Sequence, residues 1–103
     1  MRRSFDRATL TPLREMASED ALALLAIHCK ADATFQPVKH ATTRRWHALT
    51  GRGEFEILTT NHKWYDTRAK IGGGGAIDLA MHLLQLSFVE AVKLLIERGH
   101  RDG

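Results

Sequence analysis

Asp78 and His82 fall one helical turn apart, with Asp66 a short way upstream. An aspartate beside a histidine can move a proton, and two aspartates brought together can hold Mg²⁺. The same i, i+4 spacing also describes a surface helix pair worth about 0.2–0.5 kcal/mol. His28, His40, His47, His62, His82 and His100 are scattered, without the short spacings that hold one metal ion. Cys29 is the single cysteine, so an internal disulfide is impossible and zinc would have to rely on imidazoles. No nucleophile elbow and no acidic cluster is present. The sequence therefore assigns no catalytic residue, no metal ligand and no cofactor, and the chain is not expected to be an enzyme by itself.

The cations offer a second chemistry. Residues 1–38 carry five basic and five acidic side chains, and residues 71–103 carry three basic and four acidic. The middle of the chain holds seven basic residues, Lys39, Arg44, Arg45, Arg52, Lys63, Arg68 and Lys70, against Glu54, Glu56 and Asp66, with His40, His47 and His62 beside them. The formal net charge of +3 is thus concentrated there. Trp46, Trp64 and Tyr65 are interleaved with these cations, a composition suited to nucleic acid because cations neutralise phosphates while exposed rings stack on bases. Trp46 and Trp64 read as core residues, whereas Tyr65, on the opposite face of a strand from Trp64, is the stacking candidate. The expected DNA contacts are Arg44, Arg45, Lys63, Tyr65, Arg68 and Lys70, together with Gly73, Gly74 and Gly75.

The elements that must position these residues follow from periodicity. A chain of 103 residues with 44% hydrophobic content supports one modest core. Residues 1–11 lack a clear period and read as a flexible arm, and residues 12–103 as a single domain. Pro12 suits a first helical turn, but Ser18 is the better cap for a helix through Cys29, with Glu19 and Asp20 in its first turn. From 33 to 66 the period is two, around Trp46 and Ala48, Phe55 and Ile57, then Trp64. Turns at 50–53 and 60–62 join these runs, and Phe35–Val38 is a further edge-strand candidate because Pro37 suits an edge. Ile77, Ala80, Met81 and Leu84, then Phe88, Ala91, Val92, Leu95 and Ile96, return to helical spacing. Ser87 and Glu90 form a capping box, and Gly99 ends the helix. The fold class is α+β: a small antiparallel sheet of three or four strands flanked by an N-terminal helix and two C-terminal helices. The glycine run admits two readings, a tight strand-to-helix corner and a phosphate seat at the helix start. No stretch approaches 18 apolar residues and no secretory signal follows Met1, so the chain is expected to be cytoplasmic with no membrane partner.

Gly73-Gly74-Gly75-Ala76-Ile77-Asp78-Leu79-Ala80-Met81, followed by Leu86-Ser87-Phe88-Val89-Glu90-Ala91-Val92, resembles the end of the Cys-His-Cys-Cys zinc-ribbon domain of bacterial DnaG-type primases. The resemblance spans roughly residues 45–98. It is closer still to zinc-less relatives of that ribbon in plasmid, phage and integrative-element proteins, often ahead of a Toprim domain or attached to a relaxase. Thr67 and Lys70 stand where the second ligand pair would fall, and Trp46, His47 and Ala48 near the first, so the zinc function does not carry over. The resemblance implies the ribbon-plus-helices fold and a role with DNA, expected to be single-stranded, in replication or conjugative transfer of a mobile genetic element, beside a Toprim, relaxase or helicase partner. Without zinc, Trp46, Phe55, Ile57 and Trp64 are expected to hold the sheet. An interaction adaptor using Leu79, Leu83 and Leu86 is the alternative, and a primase component with Asp66 and Asp78 as Mg²⁺ ligands is a third reading.

Overall fold

A computed structural model describes residues 5–100 of the chain. Nine elements follow one another: α1 (Arg7–Glu15), α2 (Ser18–Leu25), β1 (His28–Ala31), β2 (Arg44–Thr50), β3 (Gly53–Thr60), β4 (Lys63–Asp66), β5 (Ile71–Gly74), α3 (Ala76–Leu84) and α4 (Phe88–His100). The fold is α+β, as expected, but the antiparallel sheet has five strands rather than three or four, in the sequential order β1-β2-β3-β4-β5. Both additional strands are edges. β1 occupies His28–Ala31, where the apolar spacing suggested that the helix continues, and pairs with β2 from His28 opposite Leu49 to Ala31 opposite Trp46. β5 is built from the glycine run itself, Trp64 facing Gly73 and Lys63 facing Gly74. The Phe35–Val38 segment is not a strand; it belongs to the long connection between β1 and β2.

Alternation sorts the strand residues onto two faces. Ala48, Ile57 and Trp64 are buried beneath the helices together with Leu22, Leu25, Ile77, Leu79, Leu83, Val92 and Leu95, and Trp46 and Phe55 pack at the margin of this core. The four aromatic and aliphatic residues expected to stabilise the sheet therefore all lie on its helix-covered side. Trp46 Nε1 donates to Thr59 Oγ1 at 2.9 Å, so its polar end is satisfied where the ring is half-buried. Among the described residues no helix covers the opposite, outer face.

The helix ends are satisfied by specific groups. Residues 7–11, expected to be part of an irregular arm, are the first turns of α1, because Asp6 caps the helix by accepting the Thr9 N–H at 2.9 Å. Residues 1–4 of that arm lie outside the described residues. Ser18 is the first helical residue of α2 rather than its cap, and its backbone N–H donates to the Asn61 carbonyl at 2.7 Å, which docks the helix on the β3–β4 turn. Arg98 of α4 donates through Nη1 to the Leu24 carbonyl at 2.8 Å, closing the open carbonyl end of α2. The Ser87–Glu90 capping box forms in both directions, at 2.9 and 3.1 Å. Gly99 does not terminate α4, which runs to His100.

Candidate nucleic-acid interface

β4 places Lys63 and Tyr65 on the outer face and turns Trp64 and Asp66 inward. Across the strand pair, Tyr65 stands opposite Leu58 and Lys63 opposite Thr60. The connection between β1 and β2 rises beside these residues, and the space between is a groove of about 740 Å³. Phe35, Val38, Leu58 and Tyr65 give it apolar and aromatic walls. Lys39, His40, His62 and Lys63 supply basic groups, and Thr43, Thr60 and Asn61 supply polar ones. Among the described residues no carboxylate lines it. Tyr65 is 41% exposed and Val38 94% exposed, so both present apolar surface to whatever enters.

The wall opposite the sheet is anchored at its base. Asp32 accepts from Arg45 at 2.8 Å, from Thr34 Oγ1 at 2.6 Å and from the Thr34 N–H at 2.9 Å, and its carboxylate lies 3.1 Å from His47 Nε2. The Thr34 hydroxyl and N–H, with His47 and Arg45 after them, hold the Asp32 carboxyl far below the usual aspartate range against a small opposing effect of burial. The Arg45 guanidinium also covers the Phe35 ring, 5.1 Å from its centroid. At the other end of the connection the Thr43 and Thr60 hydroxyls lie 2.7 Å apart. The ends of the connection are thus pinned while its tip, around Val38, Lys39 and His40, stands exposed.

The expected contact set is divided by this geometry. Lys63 and Tyr65 line the groove. Arg45 shares their face but is paired with Asp32, and with Glu56 at 3.7 Å, so it braces the wall rather than offering a free cation. Arg44, the preceding residue on β2, points to the other face beside Thr59, because consecutive strand residues alternate. Arg68 sits in the turn after β4, lining a separate concavity with His28, His47 and Glu54, and donates to the Glu54 carbonyl at 3.4 Å. Lys70 is exposed in the same turn with a φ of 60°. Phe35, Val38, Lys39, His40 and His62 were not among the expected contacts; the signal for them in the sequence was Lys39 and His40 following Phe35 closely, and His62 beside Lys63 in a turn.

The glycines form a strand edge and its exit. A Cβ on Gly73 would collide with Asp78 Oδ2 and stand 2.8 Å from Trp64 Cζ2, so glycine leaves room for both the carboxylate and the tryptophan ring. Gly75, with φ 86° and ψ 155°, occupies backbone space open essentially to glycine and turns the chain into α3. At the helix start read as a phosphate seat, a side chain of the helix itself takes the N–H of the strand residue before it. Asp78 of the first turn accepts the Gly74 N–H at 3.1 Å, and Gly75 is buried against the Arg14 backbone.

Behind the sheet, Asp66 and His82 meet. His82 Nε2 lies 2.7 Å from Asp66 Oδ2, and the imidazole stacks on Trp64 with centroids 4.9 Å apart. The other carboxylate oxygen, Oδ1, accepts the Arg68 and Ala69 N–H groups, both at 3.0 Å. Burial pushes the Asp66 carboxyl up, yet the hydrogen bonds from His82, Ala69 and Arg68 together bring it below the ordinary aspartate value. Both Asp66 oxygens accept hydrogen bonds, whereas Asp78 gives one oxygen, Oδ2, to the Gly74 N–H. Thr67 donates to Glu56 Oε1 at 2.6 Å and Lys70 is exposed, so the turn where the ribbon's second ligand pair would fall has no metal donors. Among the described residues no three His, Cys, Asp or Glu side chains converge to hold a metal ion. Of the three leucines in the adaptor reading, Leu79 and Leu83 are fully buried in the core, and Leu86, between α3 and α4, is half-buried. No described helix is long and apolar enough to cross a membrane.

No known protein family matches the chain, and no solved structure does. Among curated proteins it is similar to the 65 kDa protein of Zymomonas mobilis subsp. mobilis, 46% identical over 58 residues. The match covers 56% of this chain and 10% of that protein, so the chain spans about a tenth of the length of the curated relative it matches.

Proposed function

We propose that this chain is a metal-free DNA-binding module that takes single-stranded DNA into the groove on its outer sheet face. The observation that carries this reading is the lining of the groove: aromatic and aliphatic walls from Phe35, Leu58 and Tyr65, a basic rim from Lys39 and Lys63, and no carboxylate among the described residues. An unpaired base can lay its face on Tyr65 while the adjoining phosphate meets Lys63; a paired base has its faces covered by its neighbours in the stack. Stacking is tolerant of base identity, so the module is expected to prefer single strands over duplex without strong sequence preference. On the resemblance to zinc-less ribbons of mobile elements, its setting is replication or conjugative transfer in the cytoplasm, as one part of a larger polypeptide beside a Toprim, relaxase or helicase component.

The test is equilibrium binding of a labelled single strand across a salt series. Affinity should fall by about 0.7 logarithmic units per phosphate contacted for each tenfold rise in salt, and Lys63→Ala should lower that slope by about 0.7. Tyr65→Ala should weaken binding by about 1–3 kcal/mol with the slope unchanged. Binding indifferent to salt and to both substitutions would defeat the proposal.

A further inference from the structure

A second cleft, of about 430 Å³, lies between β5 and α3 on the helix-covered side of the sheet. Ile71, Asp78, Met81, Gln85 and Leu86 line it together with His82, and Trp64, 4% exposed, lies deepest. Two of its polar groups have no partner inside the fold. The Trp64 indole N–H is buried without an acceptor among the described residues. Cζ2, bonded to the same ring carbon as Nε1, stands 2.8 Å from where a Gly73 Cβ would be, and Asp78 Oδ2 lies against that same point. The N–H edge of the indole is therefore on the Asp78 side of the cleft. Asp78 gives Oδ2 to the Gly74 N–H, whereas its Oδ1 accepts nothing among the described residues. An unmade hydrogen bond is costly where water is excluded. Inside the fold the ring serves by its area and shape, which a phenylalanine would largely supply without a donor, so the N–H is left for an occupant that accepts.

Charge and shape select the occupant. Apart from His82, whose Nε2 is engaged by Asp66, Asp78 is the only acidic or basic side chain among the described residues lining the cleft. A cation is attracted there and a phosphate is repelled. Ile71 is 49% exposed, and Met81 and Leu86 are half-buried, so apolar surface flanks the carboxylate. A metal ion would leave both that surface and the indole N–H unused. A cation, a carbonyl oxygen and an apolar side chain close together are what an extended peptide presents around an arginine, whose guanidinium fork suits a carboxylate. In the Zymomonas protein the matching stretch is a tenth of the polypeptide, so the related segment sits beside much further chain. We propose that this cleft docks an extended polypeptide segment, with an arginine against Asp78, a backbone carbonyl on the Trp64 N–H and an apolar neighbour over Ile71 and Leu86. The site is on the other side of the sheet from Lys63 and Tyr65 and stands independently of DNA binding in the groove.

The test is a titration of isotope-labelled protein with acetylated, amidated pentapeptides Ala-Leu-X-Leu-Ala, where X is arginine, its neutral isostere citrulline, or glutamate. The indole N–H resonances report on the cleft directly, because Trp46 Nε1 already donates to Thr59 and serves as the internal control. The arginine peptide should shift the Trp64 indole resonance, leave that of Trp46 in place, and bind about tenfold more tightly than the other two. Asp78→Asn, which still has an oxygen for the Gly74 N–H, should reduce the arginine peptide to the level of the citrulline peptide. Ile71→Ser, at an exposed position, should weaken the arginine peptide about threefold with the melting temperature of wild type, and it decides the question should Asp78→Asn fail to fold. An unmoved Trp64 resonance, equal binding of the three peptides, or unchanged arginine affinity in both variants overturns the proposal. Butylguanidinium alone binding as tightly as the arginine peptide also overturns it, since the occupant would then be a small cation.

Discussion

Trp64 joins the outer groove to the core: its neighbours Lys63 and Tyr65 face the groove while its own ring, 4% exposed, lies between His82 and the β5 backbone. Its indole N–H is buried with no hydrogen-bond acceptor among the described residues, so the ring is retained for its area and shape. Trp64→Ala removes that area and leaves a cavity beside His82 and Gly73, and should lower stability by about 3–5 kcal/mol, measured by denaturant unfolding. A loss within experimental error would mean that the sheet is held by something else. The alternation of Trp64 and Tyr65 was enough to assign these two residues to opposite faces from the sequence. Arg45 was not legible in the same way, because its acidic partner Asp32 arrives from the connection after β1, and counting charges along a chain does not show which will meet.

At the scale of elements, the turn between β4 and β5 is tied to α3 through Asp66, which is 3% exposed and serves His82 and two backbone N–H groups at once. These donors favour the ionised carboxylate, so the native state binds fewer protons at this site than the unfolded chain does. Stability should therefore be fully present above the ordinary aspartate pKa of 3.8 and be lost as pH falls below it through the lower folded value. Asp66→Asn, measured alongside by thermal melting, should be less stable than wild type at neutral pH and should show a shallower loss in acid; an identical acid profile for both proteins would assign the acid sensitivity to other carboxylates. The hairpin turns, the capping box and the two C-terminal helices were all legible, since each is a local signal. β1 and β5 were not. β1 has too few alternations to compete with the helical spacing before it, and a strand of glycines has no side-chain period to read, so its pairing is set by the tryptophan that needs a bare neighbour.

For the whole molecule, helices occupy one side of a five-stranded sheet and leave the other to a pinned connection and a groove. The sequence placed the excess positive charge in the middle third of the chain, and the groove draws Lys39 and Lys63 from it, while Arg44, Arg45 and Arg68 are directed elsewhere by alternation or by acidic and carbonyl partners. Composition pointed to the middle third of the chain; the register of the strands decides which of its cations share a face. The measurement that tests this account most directly is a titration of isotope-labelled protein with a short single strand, following backbone amide shifts residue by residue. The account expects the largest changes at Phe35, Lys39, Thr43, His62, Lys63 and Tyr65, with Arg44 and the outer side of α4 unmoved. Changes centred on the helices, or no change at concentrations where salt-dependent binding is complete, would contradict it.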